Sequence, residues 1–408
     1  MAGITRRALA GLAILGALPQ RGRAQASMAP IRIGVLNDQS GVFSDSTGEG
    51  SVIAARLAAE EFGAATGRRV EILAADHQNK PDLGSNIARQ WFDRDGVHAI
   101  ADLGNSAVAL AVNTLAREKD KVCLVSAGGT TALTGAQCSP NTIHWTYDTY
   151  GQSTSLAESL ARAGKKRWFF ITADYTFGHS LQDEATRALT RLGGTVVGSV
   201  RHPINSNDFS SYLLHAQASG AEVVALANGG EDTGRAAKQA REFGLTDTQT
   251  IVGLAMLITD ANALGLETAQ GLLVTETFYW DLNDRTRAFS QRWSDRNRGR
   301  KPTMMQAGTY GAVVHYLRAI HALGKAESGA EVVRKMKELP TDDDAFGTGM
   351  VRADGRKIHE NYVFRVKRPA DSKRPWDYYD LVSTVPGDAA FRPMAEGGCP
   401  LLGSMTTR

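Results

Sequence analysis

The 408-residue chain has three cysteines, little net charge, and no uninterrupted apolar run of 18 residues. Without such a run no segment crosses the about 30 Å hydrocarbon core of a bilayer as a helix, so the mature chain is expected to be soluble. The formal charge is +3, and removing Arg6, Arg7, Arg21 and Arg23, with the acid-free stretch that holds them, takes it to −1. A body this close to neutral offers no electrostatic case for nucleic acid or an anionic membrane surface. Cys123 sits in the apolar run Lys121-Val122-Cys123-Leu124-Val125 and reads as a buried strand thiol. Cys138 and Cys399 lie in polar, proline-flanked loops. They are either a disulfide of an exported protein or two free thiols, and the disulfide Cys138–Cys399 is the expectation taken forward.

Catalytic signatures are missing as well. Gly128-Gly129 and Gly229-Gly230 fit neither a dinucleotide fingerprint nor a phosphate-binding loop, and no G-x-S-x-G elbow occurs. The nine histidines are scattered with no pair at helical metal spacing. No catalytic residue, metal or cofactor is therefore expected. Asp38 and Asp76 end strands, where capping and structural hydrogen bonding explain them better than acid–base work.

The first 26 residues say where the rest must work. Arg6-Arg7 form a basic start, Ala8 to Leu18 an apolar run, and Ala24-Gln25-Ala26 a small-x-small site. This is the pattern of a secretory leader cleaved after Ala26, so the mature chain is expected to be exported. Thr5-Arg6-Arg7-Ala8-Leu9 also resembles a twin-arginine export signal. No cysteine follows the apolar run, so a lipid anchor is not expected.

Beyond the leader, short apolar runs alternate with amphipathic stretches. Strands are expected over 31–36, 70–75, 99–103 and 122–126, with helices over 49–64, 82–93 and 106–119. The pattern restarts after Thr146-Tyr147-Asp148-Thr149, with strands over 167–172, 195–200, 223–227 and 250–254 separated by helices. Long helical stretches follow over 284–297 and 304–323, then a shorter one over 331–339, strands over 349–351 and 362–366, and a polar tail. Such alternation indicates α/β architecture with parallel sheets covered on both faces. Loops at the carboxyl ends of such strands collect free backbone N–H groups and helix N-termini in one crevice. Four loops there are rich in Ser, Thr, Asn and Gly: 37–48, 104–106, 126–131 and 228–232. Each alone is explained by helix capping, but together they suit a carboxylate.

These residues resemble a known family. Ile31-Arg32-Ile33-Gly34-Val35-Leu36 followed by Gln39-Ser40-Gly41 is similar to the opening of periplasmic solute-binding proteins of the leucine/isoleucine/valine-binding type. Asp76-His77-Gln78-Asn79-Lys80-Pro81, Ser126-Ala127-Gly128-Gly129-Thr130, Asp174-Tyr175-Thr176-Phe177-Gly178 and Gly271-Leu272-Leu273-Val274-Thr275 resemble later motifs of that family, in order. The resemblance spans about 30–370 and implies a type I periplasmic binding fold: two doubly wound parallel-sheet lobes joined by three crossovers at a hinge. It divides the chain into the leader (1–26), a first lobe (27–148 and 277–340), a second lobe (149–276 and 341–382) and a tail (383–408) docked on the first lobe. The implied partners are a small-molecule ligand and the inner-membrane permease of an ABC importer, with the chain acting as a monomer and binding no nucleic acid.

Carried over by position, the ligand-binding residues are Ser46, Thr47, Asn105, Ser106, Gly128, Gly129, Thr130, Tyr150, Phe177, Asn228, Gly229 and Met305. Amino-acid binders of the family place an acid after the strand matching 250–254. This chain has Leu254-Ala255-Met256 there. A bound α-ammonium without a counter-charge is costly, so the site looks built for an acid lacking that amine. Trp145, Tyr150, Tyr175, Phe177, Tyr279 and Trp280 fall near the implied cleft, where they either stack on an aromatic ring or belong to the core. The resemblance is strongest to aromatic-compound binders. A branched-chain amino acid or amide binder, or a sensor of the same fold, is the alternative, and an exported enzyme a third reading.

Overall fold

The computed structural model describes residues 29–403 together with Met1 and Ala2; the leader expected over 1–26 lies, past Ala2, outside the described residues. The first parallel sheet holds β1 (Ile31–Asn37), β2 (Val70–Asp76), β3 (Ala99–Asp102), β4 (Val122–Val125) and β5 (Thr142–His144) in the order β2-β1-β3-β4-β5. β1 lies between β2 and β3 and is buried almost throughout, which its continuous apolar run requires of a strand covered on both faces. Its covers include α1 (Gly48–Thr66), α2 (Pro81–Asp93) and α3 (Ser106–Glu118). α1 ends where Gly67 turns left-handed and donates its N–H to the Gly63 carbonyl. α2 starts on Pro81, and α3 on Asn105, whose side chain accepts the N–H groups of Ala107 and Val108.

The second lobe follows the same logic. It comprises α4 (Thr149–Arg162), β6 (Arg167–Ala173), α5 (Thr176–Arg191), β7 (Thr195–His202), α6 (Ser210–Ala218), β8 (Val223–Ala227), α7 (Glu231–Glu242) and β9 (Thr250–Gly253), its sheet in the order β7-β6-β8-β9. Then come α8 (Ile258–Leu264), α9 (Leu266–Ala269) and β10 (Leu273–Glu276). The chain returns to the first lobe as α10 (Asp284–Ser294), α11 (Met304–Leu323) and α12 (Gly329–Glu338), with α11 lying along α1.

Two boundaries differ from the sequence reading. β11 (Thr341–Asp343), β12 (Gly347–Val351) and β13 (Lys357–Ile358) form a small antiparallel sheet packed on α11 and α12, and Arg356 bridges to His144 of β5. Residues 341–358 therefore sit with the first lobe, not the second. Only Leu339 and Pro340 separate α12 from β11, too short a link to change lobes. The third crossover comes after Ile358. β14 (Asn361–Val366) then pairs with β10 and with β15 (Tyr379–Val385), a strand the polar tail did not signal. α13 (Gly387–Ala390) packs on α4 of the second lobe, and α14 (Met394–Gly397) on a turn at 131–134 of the first. The tail thus straddles the lobes instead of docking on one.

Cys399 bonds Cys138 at a sequence separation of 261, while Cys123 is free and buried, its thiol pushed up to about 12 by that burial. Removing the bridge with Cys138→Ser and Cys399→Ser is expected to cost about 2–5 kcal/mol. Urea midpoints of the double variant and the parent measure it. Denatured, unreduced parent protein should show one reactive thiol; three would exclude the bridge.

Candidate functional site

The carboxyl ends of β1, β3 and β4 face those of β6, β8 and β9 across the gap between the lobes. One narrow cavity lies there. Phe43, Ser46, Gly104, Ser106, Ala127 and Met305 line it from the first lobe, Tyr147 from the first crossover, and Tyr175, Phe177, Gly229, Gly230, Ala255 and Leu257 from the second.

Asp38, fully buried just after β1, shapes the first wall. One carboxylate oxygen accepts the Gly41 N–H (2.7 Å), the other the Phe43 N–H (2.9 Å) and the Asn79 amide (2.6 Å). These bonds wind 38–47 into a tight turn that presents Phe43 and Ser46 to the cavity. The hydroxyls of Ser46 and Thr47 both donate to the Phe43 carbonyl at 3.0 Å. The second wall is the start of α3. Asn105 caps that helix, and Ser106 accepts the Thr130 N–H at 3.3 Å. The Thr130 hydroxyl in turn accepts the Ala132 N–H at 3.3 Å.

Aromatic rings fill the centre. Phe177 meets Tyr147 edge-on at 6.4 Å between centroids and Tyr175 at 6.2 Å. A Cβ on Gly129 would stand 2.7 Å from the Phe177 ring and 2.8 Å from the Tyr147 ring, so only glycine lets them come this close. The Tyr147 hydroxyl donates to the Ala127 carbonyl at 2.8 Å, and burial pushes the phenols of Tyr147 and Tyr175 upward.

Of the residues singled out in the sequence, Ser46, Ser106, Phe177, Gly229 and Met305 line this cavity. Thr47, Asn105, Gly128, Gly129 and Thr130 stand immediately behind the lining, in the same loops. Asn228 is behind it too, accepting the Thr233 hydroxyl at 2.8 Å and bonded to His202 at 3.1 Å. Tyr150 is not in the cavity; its ring lies on α4 beneath Arg191. Among the aromatics, Tyr175 and Phe177 reach the cavity. Trp145 packs on His315, Tyr279 among Phe364 and Tyr379, and Trp280 donates to the Trp376 carbonyl. Sequence reasoning missed Phe43, Tyr147, Ala127, Gly104, Gly230 and Leu257. Phe43 was inside a flagged loop; Tyr147 looked like linker.

Among the described residues, no Asp, Glu, Lys, Arg or His lines the cavity. No nucleophile stands beside a base there. The lining offers rings, methyl groups, a thioether, two serine hydroxyls and the N-terminus of a 13-residue helix. The lining thus combines polar donors at the helix start with flat apolar walls elsewhere.

Comparison with known proteins agrees with this geometry. A sequence model described as periplasmic binding protein matches residues 30–373. A periplasmic binding protein from Burkholderia mallei is 41% identical, with TM-score 0.88, covering 91% of this chain and 99% of that one. A branched chain amino acid ABC transporter periplasmic ligand-binding protein from Burkholderia xenovorans is 40% identical, with TM-score 0.81 and the same coverage. A solute binding protein from R. palustris, solved in complex with benzoate, shares the fold at 18% identity and TM-score 0.80, over 91% of this chain and 100% of that one.

Proposed function

This chain belongs to the periplasmic binding protein family, of the ABC-transporter type, and from that premise we propose that it captures a small aromatic carboxylate between its lobes and delivers it to a membrane permease. The observation that carries the ligand class is the uncharged lining. Ala255 and Leu257 occupy the loop after β9, where an α-ammonium would need an acid, and both are buried. An unpaired ammonium enclosed there would lose its hydration with nothing in return. Phe43, Tyr147, Tyr175 and Phe177 instead supply faces and edges for a ring. The carboxylate is held by the hydroxyl and the backbone N–H of Ser106, the donors that the Asn105 cap leaves over at the start of α3.

Isothermal titration with benzoate, phenylacetate, a branched keto acid, leucine and valine tests this. At least one acid without an α-amine is expected to bind about tenfold or more tighter than leucine, a difference of about 1.4 kcal/mol. The description of the B. xenovorans relative favours branched-chain amino acids instead. Leucine or valine binding tighter than every aromatic and keto acid would establish that second reading and end the first.

A further inference from the structure

A second chamber of about 300 Å³ lies on the other side of the interlobe lip, sharing Ser46 and Gly230 with the ring-lined cavity. The lip between them includes a bond across the lobes, where the Val42 carbonyl accepts the Glu231 N–H at 3.3 Å. A hinge opening between the lobes would break that bond.

The chamber differs in chemistry from its neighbour. Three carboxylates line it, Asp45, Glu231 and Asp260, together with two cations, Arg235 and Lys238, the second of which reaches Glu242 at 3.9 Å. Asp45 pairs with Arg300, and Glu231 with Arg235. Asp260, 7% exposed, has no ion-pair partner among the described residues; one of its oxygens accepts the Leu257 N–H at 2.8 Å. Next to it Thr259, 3% exposed, lines the same chamber with a buried hydroxyl that has no hydrogen-bond partner. An enclosed carboxylate lacking a cation, beside an enclosed hydroxyl lacking a partner, is an arrangement that a bound donor group would complete. Burial, with Asp45 and Glu231 nearby, raises the Asp260 carboxyl to about 7, and a cation beside it would reverse that shift.

We propose that the chamber is a second subsite of the ligand cleft, taking a protonated amine carried by the ligand on an arm remote from its carboxylate, with Asp260 as counter-charge and Thr259 as acceptor. This rests on the aromatic-carboxylate reading and extends it: the ligand class becomes amine-bearing aromatic acids. The acid that is absent after β9 is then displaced along the chain to Asp260 and outward to the cleft mouth.

The test is a ratio. Titrate the full-length mature protein with 4-methylbenzoate and 4-(2-aminoethyl)benzoate. The amine is expected to bind at least tenfold tighter than the methyl compound. In Asp260→Asn, which can still accept the Leu257 N–H, and separately in Thr259→Val, the ratio should fall, in the first case to near one. If 4-methylbenzoate binds and the amine gains nothing, the subsite is overturned while the aromatic-acid reading stands. If leucine binds and neither benzoate does, the aromatic-acid reading falls and takes the subsite with it. A ratio above ten that neither substitution changes also overturns the assignment to Asp260 and Thr259.

Discussion

Replacing Gly230 by alanine is expected to weaken ligand capture by 100-fold or more while both lobes stay folded. Gly230 follows β8 at φ +62° and ψ −143°, a conformation that side-chain-bearing residues hold only under strain. A Cβ there would stand 2.3 Å from the Val42 carbonyl oxygen and 3.0 Å from the Phe43 ring. The oxygen is backbone in a turn fixed by Asp38, so it cannot give way. The collision is between the lobes, not within one, and the chain relieves it by keeping the cleft ajar. A ligand enclosed by closure then loses the contacts that only the closed state supplies. A 100-fold loss corresponds to about 2.7 kcal/mol. Gly229→Ala is the comparison, since its Cβ would meet only the Phe177 and Phe43 rings at 3.3 and 3.5 Å. Its effect should stay within tenfold. Calorimetry with the tightest ligand decides, with circular dichroism checking the fold; equal dissociation constants for Gly230→Ala and parent would refute a closure role.

The contrast between these glycines shows what the sequence could disclose. Strand and helix alternation was readable because apolar periodicity is local, and β1 or α11 announce themselves over a few residues. The loops at the strand ends were readable for the same reason, which is why the loops holding Ser46, Ser106 and Gly229 stood out. Which atoms of a loop face the cleft is decided by hydrogen bonds closing over it. Asn228 looked like a contact and is bound to Thr233 and His202; Phe43 was unremarked and is aimed inward by Asp38. Nothing local told Gly229 from Gly230, because the obstacle to a side chain comes from Val42, nearly two hundred residues earlier. Asp260 escaped notice because the short helix that holds it, Ile258–Leu264, was not read from the sequence; there it accepts the N–H of the capping Leu257. Residues 341–358 went to the wrong lobe because a short β-sheet on the outside of α11 has no periodicity of its own.

The charged stretch Arg352-Ala353-Asp354-Gly355-Arg356-Lys357 has the composition of a solvated turn, yet Arg356 and Lys357 are fully buried where the crossovers meet. Arg356→Met is expected to be the most damaging single change to stability outside the apolar core. The Arg356 guanidinium donates to the carbonyls of Tyr147 (3.0 Å), Trp145 (2.9 Å) and Lys357 (3.0 Å), lies 3.8 Å from Asp148, and covers the Phe391 ring at 4.1 Å. It therefore ties the first crossover to the chain entering the third. Methionine fills much of the volume but donates nothing. Three enclosed carbonyls lose their partner, and Asp148 keeps a buried carboxylate without its cation. Breaking a buried ionic centre from one side costs about 3–5 kcal/mol, a fall in melting temperature of about 6–20 °C for a lobe of this size. Arg356→Lys restores the charge but not the planar fork that serves three acceptors, so it should recover only part of the loss. Because the tie spans the hinge, the unfolding of the two lobes should also separate into two transitions in the methionine variant. Differential scanning calorimetry reads both effects, and a shift under 2 °C with a single transition would show that the crossovers hold without Arg356.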